Sequence, residues 1–362
     1  MDKELINNIR KIIIEKELDA VLISDIYRIL YLLGIPSSFN LIEIGFFLLI
    51  TREDIYLIGD PFSFSLIKVP KGVKKEVEGI KSLMENGMSP VNRLKGLVKK
   101  LKIKKIGSFE DTKLPGFKVV KIDDPFLKLF LFPDENRLAI LKENAKICEK
   151  VLKDSLKDIK EGCSEIVIRN TIDENIYHFG GERRAFPTKV IFGGNTANPF
   201  AISNNNELKE GEPLFINFGI IRSGIGMEIA KTYIMGKSTE ELRLAYKNTS
   251  GIYKKFLEFL SPGKITGEVY NYVWGLIKKK GYDENFIHPM STPLPPIRTG
   301  IIISPANSSI LKPGAILSLK LDFYFPGKFG INFQDVVLLG EKTINLTDFL
   351  NKGNPNVITD KI

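Results

Sequence analysis

Cysteine and histidine are scarce in this chain. Among 362 residues there are two of each, Cys148 and Cys163, His178 and His288. Two cysteines have neither the number nor the spacing of a disulfide framework or a zinc cluster, so a reducing compartment is implied and both read as core residues. His178 falls near the end of a predicted helix, where it caps or packs, which leaves His288 as the one imidazole for a site. No run of about eighteen apolar residues occurs, and the opening MDKELINNIRKIIIEKELDA spreads charges over a helical pattern. The expectation is a cytoplasmic protein with neither a membrane span nor a secretory signal. No serine sits in a nucleophile-elbow pattern and no cysteine stands near His288 in a recognisable arrangement, so covalent hydrolysis lacks support. The glycines of GGNTANP and GIIRSGIG lack the strand-turn-helix setting of a phosphate loop and read as turns.

What is present is a globular balance, 43% hydrophobic and 26% charged, in a chain long enough for two domains with cores of their own. The formal charge is +9, yet the lysines are spread through helical segments, with modest clusters at Lys99–Lys105 and Lys278–Lys280. That scatter disfavours a nucleic-acid role.

Periodicity divides the chain. Residues 4 to 17 alternate Leu and Ile with Lys and Glu at helical spacing, and DAVLIS then reads as a buried strand, DIYRILYLLGI as a short helix. Strands follow at IGFFLLIT, DIYLIG, KKIGSF and FKVVKI, with a helix at PVNRLKGLVKKLK. The first part, residues 1–128, is therefore an α/β domain. Prolines and a charge shift in DDPFLKLFLFPDENRLAI mark the boundary. Residues 129–362 give two helices, strands at KVIFGG and PLFINFGII…GMEIAKTYIMG, two more helices across 239 to 280, and strands at IIISP, AILSLKLDFYFP and GINFQDVVLLG. A helix pair followed by strands, twice over, predicts an α+β domain with internal pseudo-symmetry and a cavity between its halves. Asn217 and Glu228 are polar residues set into two otherwise apolar strands, a pattern that marks a site.

The order of these landmarks resembles the creatinase/prolidase/Xaa-Pro aminopeptidase family, whose second domain has the pita-bread fold. ELDAVLISDIYRILYLLG is similar to its N-terminal opening, and NRLAILKENAKICEKVL and IKEGCSEIVIR to its first catalytic-domain helices. FPTKVIFGGNTANPF, LKEGEPLFINFG, GMEIAKTYIMG, SPGKITGEVYNYVWGLIKKKGYDENFIH, LKPGAILSLKLDFYFPG and GINFQDVVLL follow in family order. Active members hold two divalent ions, such as manganese, cobalt or zinc, on two aspartates, a histidine and two glutamates, and use them to activate a bridging water. The resemblance puts those ligands on Asn217, Glu228, Thr292, Lys320 and Gln334. The substrate-contacting histidine after a proline falls on Phe200, and the family's earlier histidine on His288.

One carboxylate among five such positions implies that no metal is bound, since a protonated lysine brings positive charge in place of a lone pair. Lys320 is expected to occupy metal space and pair with Glu228, with Asp322, on the same strand face, as an additional partner. Asp335, next to Gln334, should face the other side of its sheet. HPMSTPLPPIRTG replaces a glycine- and histidine-rich stretch by prolines and reads as a stiff loop that narrows the cleft or presents an edge. The expected function is a non-hydrolytic peptide- or protein-binding relative, homodimeric as family members commonly are. A similar loss of ligands is known in the peptidase-like domain of the large subunit of the FACT histone chaperone, which binds proteins without cleaving them. Two enzymatic alternatives stay open: an Xaa-Pro peptidase with relocated ligands Glu228, Asp322 and His288, and a metal-free creatinase-like hydrolase, which Phe200 disfavours. His288 is a weak catalytic candidate beside the plainer reading of a structural histidine.

Overall fold

The structure is a computed structural model. It describes residues 1–35, 45–157, 159–296, 300–348 and 357–358. The chain divides into two compact units, Met1–Leu129 and Phe130–Ile362.

In chain order the first unit carries α1 (Lys3–Glu15), β1 (Ala20–Ile23), α2 (Ile26–Leu33), β2 (Phe47–Thr51), β3 (Ile55–Gly59), α3 (Pro61–Leu66), β4 (Val73–Val77), α4 (Ile80–Glu85), α5 (Val91–Lys100), β5 (Lys105–Ser108), β6 (Lys118–Lys121) and the start of α6 (Pro125–Leu131). Local chemistry explains the boundaries. Asp25 accepts a hydrogen bond from Arg28 N (2.8 Å) at the start of α2, and Gly34 ends that helix in the left-handed conformation (φ 66°). Among the described residues the sheet has six strands in the order β4-β3-β2-β1-β5-β6. It is mixed: β1 runs antiparallel to β2 and parallel to β5. The fully apolar run of β1 fits its position in the middle, buried on both faces. Part of the predicted strand IGFFLLIT lies outside the described residues, as do Ile297–Thr299 of the proline-rich stretch.

The second unit holds α7 (Glu135–Ser155), α8 (Glu165–His178), β7 (Arg183–Arg184), β8 (Lys189–Phe192), β9 (Pro213–Arg222), β10 (Ile225–Met235), α9 (Glu240–Phe259), α10 (Thr266–Lys278), β11 (Ser291–Thr292), β12 (Ile316–Phe325), β13 (Phe329–Leu338), β14 (Ile344–Asn345) and β15 (Val357–Ile358). Asp134, Ser164 and Thr239 cap α7, α8 and α9 through their side-chain oxygens. Two long hairpins dominate. In the first, β9 and β10 are joined by Ser223 and Gly224, both at positive φ (52° and 71°), the two-residue turn that matches strand twist. In the second, β12 and β13 are joined by residues 326–328, with Gly327 at φ 74° and Lys328 N donating to the Phe325 carbonyl (3.0 Å). The hairpins meet edge to edge through β10 and β13, giving the order β11-β12-β13-β10-β9-β7, with β8 also on β9, β14 on β13 and β15 on β10. Each half thus contributes a helix pair and then a hairpin, the repeat seen in the sequence.

One face of this sheet is covered by α9 and α10 over a core that includes Tyr246, Tyr253, Phe256, Phe323 and Phe333. Two expectations need correction. IIISP forms no strand: Ser291 Oγ donates to the Ile301 carbonyl (2.8 Å) and accepts from Ile303 N (2.7 Å), so a side chain takes bonds that a neighbouring backbone would have made. Cys148 is buried as expected, but Cys163 is only partly so.

Candidate functional site

Side chains alternate across a strand, and β12 shows it plainly. Leu317, Leu319, Leu321 and Phe323 enter the helix-covered core, whereas Ser318, Lys320, Asp322 and Tyr324 take the other face. Register then assembles a row. Lys189 on β8 lies opposite Asn217 on β9, Asn217 opposite Ala230 on β10, Ala230 opposite Gln334 on β13, and Gln334 opposite Lys320 on β12. All five line a cavity of about 80 Å³, together with Asp322, Tyr324, Asn332, Thr196, Asn198, Pro199 and other residues. Gly330 lets β13 pass under the 193–197 turn, since a Cβ there would stand 2.0 Å from the Thr196 carbonyl.

Lys320 Nζ pairs with Asp322 Oδ2 at 2.7 Å. The Asp322 carboxylate is fully buried and also accepts from the Tyr324 hydroxyl (3.3 Å); Asn332, with its amide nitrogen turned toward the carboxylate, donates to Oδ1 (3.1 Å). Burial pushes the Asp322 carboxyl above its ordinary range, and the Lys320 charge pulls it back in part. Glu228 stands behind Gln334. Its Oε1 accepts from Ser318 Oγ (2.6 Å), Gln334 Nε2 (2.8 Å) and Thr292 Oγ1 (3.1 Å). Burial raises its pKa as well, against these hydrogen bonds and the nearby Lys320 charge. The expected Lys320–Glu228 pair is therefore replaced. Lys320 and Asp322 are two positions apart on one strand face, so the ammonium reaches that carboxylate, and neutral donors take Glu228.

Asn217, Lys320, Asp322 and Gln334 thus meet at one cavity, with Glu228 and Thr292 joined to it through Gln334. Phe200 does not join them. It is 84% exposed, while its neighbours Asn198, Pro199 and Ala201 line the cavity. His288 is half-buried, packed edge-on against Tyr324 with ring centroids 5.5 Å apart, and burial and Lys320 together lower its pKa. Sequence reasoning missed Lys189, Ser318, Tyr324 and Asn332. Ser318, Tyr324 and Asn332 were readable, because they continue the alternation of Lys320 and Asp322 on β12 and of Gln334 on β13. Lys189 depends on cross-strand register, for which one strand's sequence carries no signal.

The helix-covered face holds a second pair. Lys231 Nζ lies 2.6 Å from Asp335 Oδ1, both side chains wholly buried, and Asp335 also accepts from Thr347 Oγ1 (2.8 Å) and the Tyr253 hydroxyl (3.0 Å). Asp335 faces away from Gln334, as its position on the strand requires. A wider groove of about 450 Å³ runs between α9 and α10, lined by Lys247, Lys254, Lys255, Lys279 and Lys280 among others, and contains none of the candidate residues.

Residues 139–341, more than half of the chain, match Metallopeptidase family M24. The chain belongs to this family. An Xaa-Pro dipeptidase of Pyrococcus furiosus is 24% identical over 222 residues, 61% of this chain and 64% of that protein, so the match spans just under two thirds of the relative. A prolidase from Thermococcus sibiricus superposes with a TM-score of 0.83 at 23% identity, covering 96% of this chain and 97% of that one. The N-terminal domain of a FACT complex subunit from chickpea (Cicer arietinum) gives a TM-score of 0.74 at 14% identity over 98% and 96% of the two chains. These neighbours carry the fold: an N-terminal α/β domain and a C-terminal pita-bread domain.

The M24 metal positions, as the resemblance assigns them, hold side chains that do not fit a pair of divalent ions. Asn217 is an amide whose nitrogen donates to the Ile229 carbonyl (3.1 Å). Gln334 turns its nitrogen toward Glu228, Thr292 offers a hydroxyl, and Lys320 an ammonium group. A pair of divalent ions needs several anionic or imidazole ligands, and this set offers one carboxylate, with neutral amide and hydroxyl oxygens and a fixed cation beside it. Among the described residues no group of three or more His, Cys, Asp or Glu side chains is placed to hold a metal. No described helix is long and apolar enough to cross a membrane.

Proposed function

We propose that this chain is a non-hydrolytic member of the M24 family, a pseudoenzyme that binds a peptide or protein segment in the retained cavity. The observation that carries the reading is Lys320, an ammonium group at a position that the resemblance assigns to a metal-binding glutamate, ion-paired with Asp322 at 2.7 Å. A cation fixed there repels the ions that the family's hydrolysis needs. The likeness to the chickpea FACT subunit domain supports the reading at the level of fold alone.

Relocated ligands have less support. They would need Glu228, Asp322 and His288 free to converge, whereas Glu228 is taken by three neutral donors, Asp322 by Lys320, and His288 packs on Tyr324. A metal-free creatinase-like reaction gains nothing from an exposed Phe200. Metal analysis of the purified chain, with an assay for turnover of an Xaa-Pro dipeptide with and without added manganese, cobalt or zinc, tests the proposal. Neither stoichiometric metal nor turnover is expected; either one overturns it. A homodimer in the cytoplasm belongs to the same reading, and the mass of the chain in solution tests the dimer.

A further inference from the structure

Lys189 and Lys320 stand at the two ends of the same cross-strand row, and both line the cavity. Asp322 is the one carboxylate-bearing residue among those lining it, so two ammonium groups face one carboxylate there. Lys320 is already engaged with Asp322. Lys189 is not: its Nζ donates to the Pro199 carbonyl (3.1 Å) and, among the described residues, holds no carboxylate. Burial and the nearby Lys320 charge both act to lower its pKa. A half-buried ammonium group that opens on the same cavity as a second one, with a neutral carbonyl as its partner, is a site short of an anion.

We propose that the cavity binds one carboxylate group, seated between the ammonium groups of Lys189 and Lys320. Size points the same way. A water needs about 10–15 Å³ of such space, so about 80 Å³ admits a carboxylate with a short stem, well below the ~300 Å³ of a pocket that encloses a whole small molecule. The inference rests on the peptide-binding reading and names the part of the peptide recognised, its terminal carboxylate; a free carboxylic acid has the same chemistry.

Calorimetric titration of the full chain with Ala-Pro, Ala-Pro amide and acetate separates these cases, repeated with Lys189→Gln, which keeps a donor for Pro199 and removes the charge. Charge-assisted bonds are worth about 1.5–3 kcal/mol, so Ala-Pro should bind about tenfold or more tighter than its amide, and Lys189→Gln should lose a similar factor with an unchanged unfolding midpoint. Lys189→Arg should restore the affinity. Acetate binding as tightly as Ala-Pro would uphold the carboxylate site and overturn the peptide reading. Equal binding of Ala-Pro and its amide, or no effect of Lys189→Gln, would overturn the carboxylate site and leave the peptide reading standing. Absence of binding by all three at millimolar concentration would also overturn the carboxylate site.

Discussion

The sheet of the second unit, nine-stranded among the described residues, carries a lysine–aspartate pair on each face, and the two differ in what surrounds them. Lys231 and Asp335 (2.6 Å) are wholly out of water, and Asp335 has two further donors. Lys320 and Asp322 (2.7 Å) are joined as closely, but the lysine side chain is 22% exposed and opens on a cavity. A close ion pair is therefore no marker of function. On the helix-covered side the pair fills a core; on the open side the same chemistry faces space that a ligand can enter. Access, more than pairing, separates architecture from site.

Breaking the enclosed pair should have the largest effect. Lys231→Met leaves Asp335 as an uncompensated buried charge and should cost about 3–5 kcal/mol in denaturant unfolding, and Lys231→Met with Asp335→Leu should recover most of it. A small loss from the single change would mean that the pair is not the buried unit described. Lys320→Met should cost less, about 1–3 kcal/mol, because Asp322 keeps Tyr324 and Asn332 as partners. Removing that lysine raises the Asp322 pKa further above its unfolded value, so the variant should be least impaired in acid and lose stability as pH rises through the raised value.

Glu228→Gln should sharpen the contrast in the opposite direction. The folded pKa of Glu228 is raised, so its contribution to stability is present below the unfolded value and lost as pH rises through the folded one. The amide oxygen can accept the same donors without the buried charge. The variant should match or exceed the parent by up to about 1 kcal/mol near pH 8, and the difference should vanish near about pH 4. A gain that grows in acid would contradict the assignment. Lys189→Gln, at a half-buried position with one neutral partner, should change stability by no more than about 0.5 kcal/mol.

Much of this was legible in the sequence. Helical periodicity located α1, α2, α5 and α7 to α10, and Asn217, Glu228, Lys320 and Gln334 lie on one sheet face. What escaped was the choice of partners. Two carboxylates, Glu228 and Asp322, were candidates for Lys320, and the sequence gives no means of telling that Asp322 would take it, nor that Asp335 on the other face would be met by Lys231. Lys189 reads as an ordinary charged residue at a strand start until register sets it beside Asn217. The exposure of Phe200 is a loop property that strand alternation does not reach.

The short connection at residues 326–328 has a consequence beyond closing a hairpin. Its length fixes Lys320 opposite Gln334, and one inserted residue would turn every side chain of a strand through the sheet, sending ammonium and amide into the aromatic layer. The main chain thus works as a ruler that sets which side chains meet across the sheet. For protein engineering this makes the chain a ready scaffold: building a metal-holding set at the positions the resemblance assigns becomes a task of exchanging side chains at Asn217, Thr292, Lys320 and Gln334, with the backbone left untouched.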